Sequence, residues 1–326
     1  MQTFIYKLET WYQKNKRDLP WRKDRNPYQI WLSEVLSQQT TMTAVIPYYT
    51  KFIEAFPDLE TFANSSLEDI LKLWTGLGYP SRARNLHKAA IEVFQKGYPT
   101  TYKDWLSLPG VGPYTAAAVS SIAFGARKGV VDGNVIRVCS RFLGEPFKYW
   151  LPKERNRIQD QMDQWIQLTT DPASFNQAIM ELGATVCTRS NPNCHSCPIA
   201  KLCKARQHDL VLTLPLTKPK KEVQKWAVQM KIIKKGNKFL VKKLSQKAPF
   251  LKSQWSLPIT FKKISKKPPQ HHFTHSITHN QIFVKVCISK GISKVPLNSK
   301  WWTREQLLSE SPFSLLEKAL SLDHPN

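Results

Sequence analysis

Four cysteines, Cys187, Cys194, Cys197 and Cys203, crowd into one short stretch with the spacing C-x6-C-x2-C-x5-C. The N-terminal MQTFIYKLETWYQKNK reads as an amphipathic helix rather than a signal or transit peptide, and no apolar run approaches a membrane span. The chain is therefore expected in the cytosol, where clustered thiols mean metal and not disulfides. A structural zinc and an iron–sulfur cluster both accept four thiolates, and spacing alone does not choose between them. His195 lies inside the loop, with Arg189, Lys201, Lys204 and Arg206 in and around it, so the segment can also present cations to phosphate. Cys139 and Cys287 stand alone in apolar settings and read as core thiols.

The 326 residues leave room for two domains, each with its own core. Residues 1 to about 187 read as helix after helix. Ser65 and Ser66 offer caps to LEDILKLW, and Asp171-Pro172 supplies a cap and an N1 proline to ASFNQAIMELGATVC. After Cys203 the texture changes. Residues 207–224 carry prolines and lysines with no helical period and read as a linker. WAVQMKII and FLVKKL then flank KKGNK as a hairpin, while Ile282, Val284, Val286 and Ile288 alternate as in a strand. The tail TREQLLSESPFSLLEKALSL is helical. The predicted architecture is a mainly helical domain over 1–206, a basic linker over 207–224 and a smaller α/β domain over 225–326.

The formal net charge of +24 is unevenly spread, with +8 on residues 1–206 and +16 on residues 207–326. A chain this basic is drawn to phosphate backbones by counterion release. An anionic membrane surface would also attract it. The charge, however, runs through folded-looking sequence rather than a tail, which favours nucleic acid and no membrane partner.

Three local patterns carry chemistry. In LPGVGPYTA (residues 108–116), Gly110 and Gly112 permit a tight turn and leave backbone N–H groups open at a helix N-terminus, a site for a phosphate. A plain glycine turn between helices is the alternative. In PYQIWLSEVLSQQT, Glu34 falls off the apolar stripe of Tyr28, Trp31, Leu32, Val35 and Leu36, on a face shared with Gln38 and Thr41. A lone carboxyl there is either a surface glutamate or a partly buried acid with a raised pKa. Asp132 is the only charge in GVVDGNVI and reads as an N-cap, whose helix end should keep it ionised. A proton donor and an anion separated by environment suit glycosidic bond cleavage.

Taken in order, WLSEVLSQQT, LWTGLGY, RARNLHKAA, LPGVG-x-x-TA, VDGNV and FNQAIMELGA-x-x-C with the cysteine loop resemble adenine DNA glycosylases of the MutY type, over nearly the full length. The x6-x2-x5 loop resembles the [4Fe–4S] loop of that family, and L-P-G-V-G-x-x-T-A its helix-hairpin-helix. The resemblance implies a structural cluster on Cys187, Cys194, Cys197 and Cys203. It implies duplex DNA as partner, with adenine opposite 8-oxoguanine or guanine as target, handled by a monomer. It further implies that Glu34 protonates the flipped-out adenine, Asp132 supports the cationic sugar, Asn134 holds the hydrogen-bond network and Tyr114 lines the pocket. Gln39 and Tyr79 would wedge into the duplex, and Gly110 and Gly112 would grip phosphate.

Relatives that cut the backbone carry a lysine at the position of Tyr114, and some adenine glycosylases carry one at Ile136; neither amine is present here. Base removal without strand cleavage is the expectation, against an endonuclease III-like lyase or a silent DNA-binding module. The last hundred residues resemble a Nudix-type domain, yet 207–326 hold only six acids, too few for pyrophosphate hydrolysis. Phe273, Thr274 and His275 resemble the F-S-H loop that reads the lesion, with threonine for serine. Pro80 departs from relatives that repeat the tyrosine of Tyr79.

Overall fold

End-caps and apolar periodicity account for most of the observed helices. The structure, a computed structural model, describes residues 1–326 except 39–40, 220–221, 269, 290–294 and 324–326. It divides into two units, Met1–Lys218 and Pro219–Asn326. No helix among the described residues is long and apolar enough to cross a membrane.

Among the described residues, the regular elements of the first unit are all helices. Its elements are α1 (Gln2–Asn15), α2 (Pro27–Leu36), α3 (Met42–Ala55), α4 (Leu59–Asn64), α5 (Leu67–Trp74) and α6 (Ser81–Lys96). There follow α7 (Tyr102–Ser107), α8 (Pro113–Phe124), α9 (Gly133–Leu143), α10 (Pro152–Ile166), α11 (Pro172–Thr185) and the short α12 (Lys204–Gln207). Of the two expected serine caps it is Ser66 whose side chain accepts from the Asp69 N–H at the start of α5. Asp171 caps α11, with Pro172 at N1. Asn26 does the same for α2, with Pro27 at N1.

Two packing seams place the site. Helix α2 is apolar almost all round and packs on α8, with Trp31 at its buried centre against Trp105 of α7. Helix α11 packs on both α1 and α9, and Phe4 of α1 meets Phe142 and Trp165 at 4.3 and 4.9 Å between ring centroids. The first seam carries residue 34 and the second residue 132, and one cleft opens between them.

The helical unit runs past the boundary expected at residue 206. Leu214 is buried, and its carbonyl accepts from Arg141 Nε at 2.9 Å. The stretch 207–218 is therefore a strap on the helical unit rather than a free linker.

Among the described residues, the second unit is a seven-stranded sheet with two α-helices. The hairpin expected around KKGNK forms β1 (Gln224–Lys235) and β2 (Lys238–Lys243). After β3 (Trp255–Ser256) and β4 (Ile259–Ile264) come β5 (Phe273–Ile277), β6 (Asn280–Ser289) and β7 (Ser299–Thr303). Strand β1 lies between β4, antiparallel, and β6, parallel from Gln224↔Asn280 to Ile233↔Ser289. The expected alternation in β6 holds at Ile282, Val284 and Val286, which are buried, but Ile288 is exposed. The helical tail splits at Pro312 into α13 (Arg304–Glu310) and α14 (Ser314–Leu320). Leu307, Leu315 and Leu316 complete the core beneath Val228, Met230 and Val284. Cys139 is the buried core thiol expected. Cys287 is not: it is only half-buried and accepts from Gln229 Nε2 at 3.0 Å.

Candidate active site

Helices α2, α8 and α11 and the N-terminus of α9 enclose a cleft of about 750 Å³. Glu34, Tyr114, Asp132 and Asn134 all line it. Glu34 escapes the apolar packing of α2 because the side chains on either side of it in sequence, Ser33 and Val35, are buried while its own points into the cleft. Helix α2 ends at Leu36, earlier than its periodicity suggested, and Gln38 lines the cleft beyond it.

Burial pushes the Glu34 carboxyl up to about 7. A hydrogen bond from the Tyr114 hydroxyl and the charge of Arg22 pull the other way, while Asp132 adds to the rise. The Tyr114 phenol is held protonated, well above its usual range, chiefly by burial and then by Glu34. Its hydroxyl also lies 3.3 Å from Met180 Sδ.

Asp132 is the N-cap of α9 and accepts from Val135 N at 2.7 Å and from Asn134 Nδ2 at 2.9 Å. Those bonds favour the anion, yet burial outweighs them, so the pKa sits above its ordinary value rather than being lowered by the helix end. The difference between the two carboxyls is therefore in their partners. Asp132 has two N–H donors at the positive end of a helix, whereas Glu34 has a neutral phenol.

Gly110 and Gly112 also border the cleft. Gly110 has φ +74°, and a Cβ there would lie 2.5 Å from Asn85 Cβ, so the turn accepts only glycine without a shift. Gly112 is the N-cap of α8, with nothing within 4 Å of where a Cβ would stand. The Gly112 and Tyr114 N–H groups at the start of α8 stand where a helix leaves donors without intrahelical acceptors, a position that suits an anion.

Cys187, Cys194, Cys197 and Cys203 line one cavity with apolar walls that include Val138, Phe142, Leu182 and Ile199. Burial and then the other three thiols push the Cys197 thiol up to about 12. Arg141, itself buried, donates from Nη1 toward Cys187 Sγ at 3.4 Å. A half-buried donor set of four sulfurs with a guanidinium beside it fits an anionic Cys₄ centre, whose binding would deprotonate the thiols. Among the described residues no three His, Cys, Asp or Glu side chains are gathered closely enough to hold a metal ion as they stand.

The HhH-GPD superfamily of base excision DNA repair proteins matches residues 32–159. A protein from Buchnera aphidicola subsp. Schizaphis graminum, named adenine DNA glycosylase, is 38% identical over 254 residues, covering 75% of this chain and 71% of its own. The chain belongs to the adenine DNA glycosylase family. The human adenine DNA glycosylase is 45% identical over 215 residues, covering 61% of this chain but only 39% of the human one. A solved thermostable thymine-DNA glycosylase superposes with a TM-score of 0.56 at 30% identity, over 63% of this chain and 95% of that one.

Several cleft residues of this glycosylase were not evident as site residues in its sequence. Glu181 on α11 has a fully buried side chain and receives Arg17 through Nε and Nη2 at 2.6 and 3.0 Å and Arg22 Nη2 at 2.8 Å. Its burial opposes ionisation, but the two guanidiniums hold its pKa below the ordinary value. Trp21 and Gln177 share that wall. On α9, Arg137 donates to Asn134 Oδ1, Gly183 O and Cys187 O at 2.8, 2.6 and 2.6 Å, joining the cleft to the cysteine loop. Two arginines four apart in the otherwise uncharged GNVIRVCSRFL were the available signal.

The remaining expected residues fare differently. Tyr79 is 63% exposed at φ +48°, a left-handed conformation that is strained for an aromatic residue. Gln39 lies outside the described residues. Phe273, Thr274 and His275 are not in a loop; they form β5, paired with Val284, Phe283 and Ile282. Phe273 packs on the core and His275 is half-buried on the same side, its pKa lowered by burial and then by Lys318. Only Thr274 of the three is exposed, with its hydroxyl 3.3 Å from His271 Nε2.

Proposed function

We propose that this protein hydrolyses the N-glycosidic bond of adenine mispaired with 8-oxoguanine or guanine in duplex DNA, leaving the strand intact. The observation that carries the reading is the pairing, in one cleft, of a Glu34 carboxyl poised near neutrality with an Asp132 carboxyl tied to N–H donors. The hairpin N–H groups at Gly110 and Gly112 hold a phosphate, and Tyr79, with Gln39, fills the gap left by the extruded nucleotide. Glu34 then delivers its proton to a ring nitrogen of the adenine. The base leaves neutral, taking the electron pair of the C–N bond, and the cationic sugar faces the Asp132 anion. Asn134 keeps that carboxylate in register. Glu34, now a carboxylate, accepts a proton from the water that adds to the sugar, which restores the acid.

Strand cleavage through a Schiff base needs an amine. Position 114 supplies a phenol, Ile136 is buried, and the described cations lining the cleft are the arginines Arg17, Arg22 and Arg155, which do not deprotonate. A [4Fe–4S] cluster on Cys187, Cys194, Cys197 and Cys203 is the reading that the family and the apolar-walled thiol cavity support. Bound there it would serve as a structural cross-link, and Arg141 would offset its charge. Preference for 8-oxoguanine is assigned to the second unit, with Thr274 as its exposed hydroxyl and Phe273 and His275 setting the strand beneath it.

The test is purified protein with a duplex carrying adenine opposite 8-oxoguanine. Adenine should be released, the strand should break only after alkali, and borohydride should trap little adduct. Protein prepared without oxygen should hold iron and sulfide at about four each per chain. No release of adenine would refute the activity, efficient trapping would restore the lyase reading, and stoichiometric zinc would replace the cluster.

A further inference from the structure

Arg82, in the first turn of α6, spends its guanidinium on four backbone carbonyls of two separate segments. Nη1 donates to Val35 O at 2.8 Å and Gln38 O at 2.9 Å, at the C-terminal end of α2. Nη2 donates to Leu77 O at 2.9 Å and Gly78 O at 3.3 Å, in the turn that leads to Tyr79. The guanidinium also lies 5.1 Å from the centroid of the Trp74 ring, whose Nε1 donates to the same Gly78 carbonyl at 3.0 Å. One side of this clamp borders the cleft and the other the proposed wedge residue. Val35 adjoins Glu34, and Gln38 lines the cleft. Gly78 adjoins the exposed, left-handed Tyr79.

We infer that Arg82 is a positioning residue that fixes the Tyr79 turn at a set distance from the catalytic end of α2, so that displacing a base and delivering it to Glu34 are one concerted movement. The inference rests on the glycosylase reading above. The physical case is the donor geometry. The last carbonyls of a helix form its negative end, which favours a cation there, and Val35 O receives a long 3.4 Å bond from Gln38 N besides that of Arg82. A planar fork can bridge two sets of carbonyls that face each other; an ammonium is a single point and cannot span them. Without the bridge, the turn holding Tyr79 in a costly backbone conformation loses its anchor to α2. The exposed ring then no longer enters the stack in register with the cleft.

The experiment uses the full chain with Arg82→Lys and Arg82→Ala, and Tyr79→Ala for comparison. 2-Aminopurine in place of the target adenine reports unstacking as brightening when protein binds. Single-turnover rates are measured on adenine opposite 8-oxoguanine and on adenine opposite an abasic site, where the base is already unpaired. Arg82→Lys should lose most of the brightening. Its rate on the paired substrate should fall by about tenfold or more, the scale of one lost charge-assisted contact. On the unpaired substrate its rate should fall much less, and Tyr79→Ala should show the same contrast. Should Arg82→Ala not fold, Arg82→Lys with a wild-type melting temperature decides the matter. Wild-type brightening in Arg82→Lys, or an equal loss on both substrates, would overturn the inference, since damage to the fold would slow both alike. If the wild-type protein excises no adenine, the activity reading fails, and the 2-aminopurine signal alone judges Arg82.

Discussion

Glu34 sits where its protonation state governs both rate and stability, and the two respond to pH in linked ways. Its carboxyl titrates at about 7, above an ordinary value of 4.5. The folded state therefore holds a proton that the unfolded state has released between those values, and stability declines as pH rises through that window. As an acid, Glu34 is active below about 7, so single-turnover excision should fall as pH rises past neutrality. Glu34→Gln removes the transferable proton and should cut the rate by at least about a hundredfold, the scale of general acid–base catalysis, while binding persists. The same variant should be more stable than wild type at pH 8, by on the order of 1–3 kcal/mol, with the gain shrinking toward pH 4.5. Melting curves at both pH values check this, and equal stability at pH 8 would mean that Glu34 is not strained by burial. Glu34 and Asp132 were legible in the sequence because each is a lone charge in an apolar helical stretch. Arg22, Glu181 and Arg137 were not. In so basic a chain they resemble solvated charges, and only folding brings Arg17 and Arg22 to Glu181, some 160 positions away in the chain.

At the scale of elements, α9 and α11 approach each other closely beside the site. A Cβ on Gly183 would stand 2.6 Å from Asn134 Cβ and 3.1 Å from its Cα and O, all belonging to the helix that presents Asp132. Helix propensity alone would make Gly183→Ala stabilising by up to about 1 kcal/mol. Contact with Asn134 reverses the sign, because backbone and not a flexible side-chain end must give way. A net loss of about 1–3 kcal/mol is expected. Because Asn134 Nδ2 donates to Asp132, the excision rate should fall along with stability. A variant as stable and as active as wild type would mean that the two helices have slack. Periodicity recovered the helices, the β1–β2 hairpin and the buried residues of β6, since each follows from spacing within one element. The parallel pairing of β1 with β6 depends on segments more than fifty residues apart and has no local signature. The misplacement of Phe273, Thr274 and His275 is different. Phe273, His275 and Ile277 alternate with Thr274 and Ser276, a strand signal present in the sequence but overridden by a motif resemblance.

For the whole molecule, the decisive boundary is where the helical unit ends. Prolines and lysines after residue 206 look like a linker, because a strap that packs through Leu214 and gives up a carbonyl carries no period. The distinction has a measurable consequence. Arg141 is buried and donates to Leu214 O, Thr188 O and Arg189 O while facing Cys187 Sγ. A chain ending at Arg206 removes the acceptor of Arg141 Nε, and an unpaired buried donor costs about 1–3 kcal/mol. The loss falls beside the cysteine loop, so that chain should melt earlier and shed iron sooner than one ending at Lys218. The longer truncation keeps the cleft, the hairpin and all four cysteines, and should still excise adenine. It also removes 21 of the 48 basic residues and leaves a net charge of +8, so its binding should weaken on every duplex and depend less steeply on salt. Discrimination is a separate matter. A pocket closed around adenine cannot sense the opposite base, and a contact to the lesion is worth about 1–3 kcal/mol, roughly a factor of ten to a hundred. The chain ending at Lys218 should therefore lose preference for 8-oxoguanine over guanine by slowing on the lesion duplex selectively. Iron per chain, melting temperature and single-turnover rates on both duplexes, for the full chain and the two truncations, separate these effects. Equal iron retention in the two truncations would make the strap dispensable, and an unchanged rate ratio would locate lesion recognition in the helical unit, leaving β5 as a strand that only packs its own core.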